Sequence, residues 1–154
     1  MVTPLVSGLL VILDPLRRKS EQHALVLVTS LRSVPEDGLP RKFVVTASHS
    51  DAWNQNPSVP IGAVYLRRTG PNTVQAFNVV CPHAGCFVDF VPARNGYICP
   101  CHNSVFGLDG KISDRKSPSP RGLDPLEVQI RNQTEVWVKF QNYLAGHATR
   151  IPVA

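Results

Sequence analysis

Cys81-Pro-His83-Ala-Gly-Cys86 and Cys99-Pro-Cys101-His102 decide how this chain of 154 residues is read. The two stretches hold all four of its cysteines, within 21 residues, and two of its five histidines. Such a concentration of soft and borderline metal ligands, with no cysteine elsewhere, points to an inorganic centre and not to a general disulfide framework. A Cys-x-His turn and a Cys-x-x-His turn each present one thiolate and one imidazole. Bringing the two turns together supplies two of each around one site. Two metals compete for that set. Zinc takes two Cys and two His tetrahedrally; a [2Fe–2S] cluster places both thiolates on one iron and both imidazoles on the other. Zinc leaves Cys86 and Cys101 without a role, and free thiols beside a metal are an oxidation liability.

Outward from these turns the chain is rich in β-branched runs. ALVLVTSL (24–31) and KFVVTA (42–47) read as strands, with Pro35-Glu-Asp-Gly38 as turn chemistry between them. Residues 51–60, with Trp53 and two prolines, read as a loop. GAVYLR (62–67) and TVQAFNVV (73–80) follow, split by Gly70-Pro71-Asn72. LEVQI (126–130) and EVWVKF (135–140) alternate with period two, so each puts one face inward. Asp109-Gly110 suits a tight turn after the second Cys/His stretch. No segment after residue 20 sustains a 3.6-residue period, and an all-β fold of short antiparallel strands is predicted.

Composition supports a packed domain: 43% of residues are hydrophobic and 18% charged, which excludes a disordered chain. The net charge is +5, but only Arg17-Arg18-Lys19 is a tight basic run. No interleaved aromatic pattern accompanies it, and nucleic acid is not an expected partner. Residues 2–13, VTPLVSGLLVIL, are apolar and end at Asp14-Pro15. Twelve residues rise only about 18 Å as a helix, against a hydrocarbon core of about 30 Å. Segment 1–20 is therefore read as a core-packed stretch, an interfacial anchor or the remnant of a longer membrane span. His23, His49 and His147 have no ligand-like neighbours, and no Ser/His/Asp elbow, phosphate loop or carboxylate pair suggests independent catalysis.

The two Cys/His boxes, with 15 residues between them, resemble the binding motif of Rieske iron–sulfur proteins. Cys86 and Cys101 match the extra cysteines of the high-potential branch, found in cytochrome bc1 and b6f complexes, where they form a disulfide joining the cluster loops. The motif match extends to about residue 125; residues 24–80 and 126–142 are similar only in being strand-rich. The resemblance implies an antiparallel β-sandwich base over 21–143, a small inserted cluster-binding subdomain at about 79–122, and a C-terminal tail 144–154. It implies a [2Fe–2S] cluster with Cys81 and Cys99 on the inner iron and His83 and His102 on the outer one. A Cys86–Cys101 bridge would tie the two loops across the cluster. Gly85 stands where a tight loop calls for positive φ. Asn103 occupies a place where the family often has Gly, and Asn tolerates the left-handed region. Ser104 matches a serine that bonds a cluster sulfur, and Pro118 and Pro120 match a proline loop over the cluster.

Phe106 departs from the family, where many members have Tyr bonded to a cysteine ligand. Losing that donor implies a lower reduction potential, suited to a menaquinol-linked chain. The implied role is electron transfer in a quinol:cytochrome c oxidoreductase-type complex. The expected partners are a cytochrome b-type membrane subunit, a c-type cytochrome and quinol, on the outer (periplasmic) face of the cytoplasmic membrane. His102 would contact the quinol and accept its proton. Two other roles share the ligand boxes: the Rieske small subunit of an arsenite oxidase-like molybdenum enzyme, and a soluble ferredoxin feeding an oxygenase. The extra cysteine pair opposes the ferredoxin.

Overall fold

The computed structural model describes residues 25–50 and 55–153, so the apolar segment 1–20 lies outside the described residues. Ten strands and two short 3-10 turns make up its regular structure. Strands β1 (Leu25–Ser30), β9 (Val128–Arg131) and β10 (Glu135–Lys139) form one antiparallel sheet, in the order β1-β10-β9. Strands β2 (Arg41–Ser50), β3 (Gln55–Gly70), β4 (Thr73–Asn78) and β8 (Pro125–Leu126) form a second sheet in that order. Strands β5 (Asp89–Val91), β6 (Gly96–Ile98) and β7 (Val105–Gly107) make a small third sheet. Among the described residues, no helix is long and apolar enough to cross a membrane.

Around Val64–Leu66 of β3 and Ala76–Asn78 of β4 the second sheet is buried on both faces, which explains why these stretches read as nearly continuous apolar runs. Val64, Leu66, Val74 and Ala76 point to one side, where they meet Val136 and Val138 of β10 in the larger core. Tyr65, Phe77 and Val79, one position out of phase, point to the other side. There they pack with Tyr97, Phe106, Cys81 and Cys99 in a second core. Strand alternation thus sends one set of side chains to the sandwich base and the next set to the cysteine-bearing subdomain. Tyr65 fixes the two together: its hydroxyl donates to Val88 O (3.2 Å) and accepts from Phe90 N (3.0 Å). The expected all-β fold, a sandwich base carrying an inserted subdomain, is the one observed.

Three local readings differ. The expected loop at 51–60 is in part strand, because β3 begins at Gln55. Its prolines are accommodated where the β2–β3 register slips: Pro60 pairs with Thr46 beside one irregularity, and Pro57 falls within another. Proline is tolerated at such bulges because no ladder donor is required there. The expected single strand 126–130 is divided. Pro125–Leu126 pairs with β4, whereas Val128–Arg131 pairs with β10, and Glu127 O accepts from Lys139 N (2.9 Å) at the crossing. The C-terminal tail folds back: Tyr143 bridges Pro152, Leu144 N donates to Ile151 O, and Val153 N to Asn142 O. No periodicity marks that hairpin, since hydrogen bonds from distant residues and the packing of Tyr143, not an apolar stripe, hold it.

Candidate metal centre

Each Cys/His stretch closes a tight turn at one end of the subdomain. In the first, Cys81 N donates to Cys86 O (2.7 Å) and Gly85 N to Cys81 O (3.0 Å), with Gly85 at φ 83°. In the second, Cys99 N donates to Ser104 O (2.8 Å) and Asn103 N to Cys99 O (3.0 Å), with Asn103 at φ 56°. The two turns are therefore built alike, and each puts its one left-handed residue where Gly or Asn stands. A Cys86–Cys101 disulfide joins them, with the Cα atoms 6.7 Å apart.

Cys81 and Cys99 remain as free thiols, both fully buried. The Cys99 sulfur lies within 4.8 Å of both sulfurs of the bridge. Burial pushes the Cys81 thiol above its ordinary pKa; the His83 backbone N–H and the Ser104 hydroxyl pull it partway back, and the Cys99 thiol raises it. A buried neutral thiol becomes a ligand by losing a proton, so metal loading here releases protons and weakens as pH falls. The His83 and His102 rings meet edge to face, with centroids 4.7 Å apart. His102 is exposed and His83 half-buried.

Three polar atoms in this region are buried without a hydrogen-bond partner: His83 Nδ1, Ser104 Oγ and, in the second core, Tyr97 Oη. Ser104 Oγ faces the Cys81 sulfur closely enough to lower its pKa, yet makes no hydrogen bond of ordinary geometry. Buried polar atoms are rarely left unpaired, and each exception calls for an explanation. An orphaned imidazole nitrogen, an orphaned hydroxyl and two buried thiols are a donor set that a metal–sulfur group satisfies. The residues present fit such a group.

The proline stretch 117–121 is held by hydrogen bonds of its serines and not by its prolines. Pro118 and Pro120 are exposed, whereas Ser119 between them is buried and donates to Arg121 O (2.7 Å). Ser117 Oγ accepts from Val105 N (3.3 Å), which joins the stretch to β7 just past the second turn. Phe106 is fully buried opposite Tyr97 in the β6–β7 ladder. At Asp109-Gly110 the expected turn is present, with Gly110 at φ 76° and Lys111 N donating to Asp109 Oδ1 (3.1 Å). Ser117, Ser119 and Arg121 stand in the stretch 117–121 that resembles the family's proline loop, but sequence reasoning gave them no individual role, and it missed Asp124. The opposite charges of Arg121 and Asp124, three residues apart beside the prolines, were the available signal.

A β-sandwich carrying a disulfide-bridged pair of Cys/His turns around buried thiols defines an iron–sulfur protein. The family model for the Rieske [2Fe-2S] domain matches residues 25–136, and the chain belongs to this family, whose cofactor is the [2Fe–2S] cluster. It is 26% identical over 122 residues to the menaquinol:cytochrome c reductase iron-sulfur subunit of Geobacillus thermodenitrificans, covering 77% of this chain and 69% of that protein. It is 37% identical over 67 residues to the chloroplastic cytochrome b6-f complex iron-sulfur subunit of Volvox carteri, covering 42% of this chain and 32% of that one. The chain thus spans about a third of the length of that chloroplast subunit. Among solved structures, it is similar to the cyanobacterial plasma membrane Rieske protein PetC3 from Synechocystis PCC 6803. That likeness has a TM-score of 0.52 at 23% identity and covers 75% of this chain and 99% of the other.

Proposed function

We propose that this chain is the electron-transfer subunit of a quinol:cytochrome c oxidoreductase-type complex, with Cys81, Cys99, His83 and His102 holding the cluster. The observation that carries the reading is the Cys86–Cys101 bridge between the two Cys/His turns of a Rieske domain. The menaquinol:cytochrome c reductase subunit, similar over 77% of this chain, supports it. When bound, the [2Fe–2S] group supplies a one-electron acceptor that two imidazole ligands set to about −150 to +300 mV.

The chain's own residues do the rest. Cys81 and Cys99 lie on the buried side of the turns, where apolar packing keeps water from the sulfurs. His102 stands at the surface and accepts the proton of a quinol hydroxyl at an imidazole nitrogen. His83 lies against it and shares the same tip. Ala84, Phe87 and Pro100, all exposed around the turns, and the half-buried Val105 give this tip an apolar rim suited to a cytochrome b-type membrane subunit. Phe87, at 61%, is the most exposed large hydrophobic side chain among the described residues. A c-type cytochrome then takes the electron, on the outer face of the membrane.

Affinity purification of the full chain from membranes of its own organism tests the role. Recovery of haem-bearing cytochrome b and c subunits, with reduction of the complex by menaquinol, is expected. Recovery of a molybdopterin subunit instead would assign the chain to an arsenite oxidase-like enzyme.

Phe106 carries a separate prediction. A phenyl ring cannot donate to a ligand sulfur, so more electron density stays on the centre than with Tyr in its place. Redox titration of Phe106→Tyr is expected to give a midpoint above the wild-type value. An unchanged or lower midpoint defeats this assignment of Phe106.

A further inference from the structure

Arg121 lies at the end of the proline loop, and its guanidinium uses all three nitrogens. Nε and Nη2 donate to the two Asp124 carboxylate oxygens, each at 2.8 Å, a bidentate pair with side chains only 9% and 4% exposed. Nη1 points the other way and donates to Leu144 O (3.1 Å) and His147 O. These two carbonyls belong to the C-terminal hairpin. From the same hairpin, Gly146 N donates to Pro82 O (2.8 Å), the residue between Cys81 and His83. Pro82 is itself among the most deeply buried side chains. At its far end the hairpin is held by Asn78, whose Nδ2 donates to Gln141 O and Asn142 Oδ1, and by Gln141 Nε2 donating to Val153 O.

A buried guanidinium that satisfies one carboxylate and two carbonyls is costly to desolvate, and its bidentate fork fixes the geometry of the groups it joins. Here the geometry links the proline loop, the hairpin and the first Cys/His turn in one chain of contacts. We propose that Arg121 is a positioning residue for the first turn, acting through the C-terminal hairpin that it seats against Pro82. This inference rests on the functional reading above and adds a fourth side to the site: two bridged turns, the proline loop and the C-terminal hairpin. The hairpin holds Cys81 and His83 in register with the second turn and keeps water from the Cys81 side.

The test uses the full-length protein with its cluster and three variants. Gly146→Pro removes the one donor to Pro82 O and, because proline fixes φ at about −65° against the 78° found here, also unseats this exposed turn of the hairpin, away from the core. Gly146→Asn keeps that N–H and tolerates the φ of 78°, and an added Cβ there meets only His83 O, at 3.8 Å. Arg121→Leu combined with Asp124→Leu removes both buried charges together, which avoids stranding either one. Gly146→Pro and the double variant are expected to shift the EPR g-values of the reduced protein and to lose labile sulfide to a chelator several-fold faster. Gly146→Asn is expected to match the wild type. Wild-type g-values and bleaching rate in Gly146→Pro would overturn the proposal, even if the double variant does not fold. A wild-type protein without labile sulfide would instead overturn the functional reading, and this inference with it.

Discussion

Replacing Cys81 with alanine is expected to abolish the visible absorption, the EPR signal of the reduced protein and the acid-labile sulfide. The argument is one of donors. Cys81 and Cys99 are the only cysteines outside the bridge, both are buried, and the two sulfurs near Cys99 are tied up in the disulfide and offer no thiolate while it is intact. Removing one leaves a single sulfur ligand for an iron that requires two. The fold itself survives the change, because the larger core of Val64, Leu66, Val136 and Val138 lies on the other face of the second sheet. Far-UV circular dichroism that stays native while iron and sulfide vanish is the expected result. Retention of a full complement of iron and sulfide in Cys81→Ala would remove Cys81 from the ligand set. The same reasoning gives the same outcome for Cys99→Ala, and His83→Ala tests whether its orphaned Nδ1 is the imidazole donor.

The second large effect is on stability. Cys86 and Cys101 are separated by 15 residues, and closing a loop of that size is worth about 3 kcal/mol in the chain-entropy treatment. The double variant Cys86→Ser with Cys101→Ser is expected to melt about 10 °C lower, since each kcal/mol corresponds to about 2–4 °C in a domain of this size. Two consequences should appear together, because the bridge joins the turns that carry the thiols and imidazoles. The holoprotein should melt earlier, and its cluster should be lost to a chelator faster than in the wild type. Calorimetry and bleaching kinetics that match the wild type would show that the turns hold together without the bridge.

How much of this was legible in the sequence follows from where the information is local. The Cys/His boxes specify tight turns within four to six residues, and Gly85 and Asn103 announce left-handed backbone at the positions that need it. Alternation exposed the β-strands. What escaped was set by contacts distant in the chain. Pro57 and Pro60 look like loop residues until the register slips of β2 against β3 provide bulges for them. Residues 126–130 alternate like one strand, yet the chain leaves one sheet for another at Glu127. The C-terminal hairpin has no pattern of its own, because it is held by Arg121, Asn78 and a single bond to Pro82. Arg121 and Asp124 became visible as a unit only once the fold buried them side by side.

The central claim concerns the inorganic group, and chemical analysis of anaerobically prepared protein tests it most directly. Iron, zinc and acid-labile sulfide should be measured per chain, with an EPR spectrum after reduction. Two irons, two labile sulfides and a spectrum from mixed sulfur and nitrogen ligation are predicted. A colourless protein that contains zinc and no labile sulfide would contradict the account.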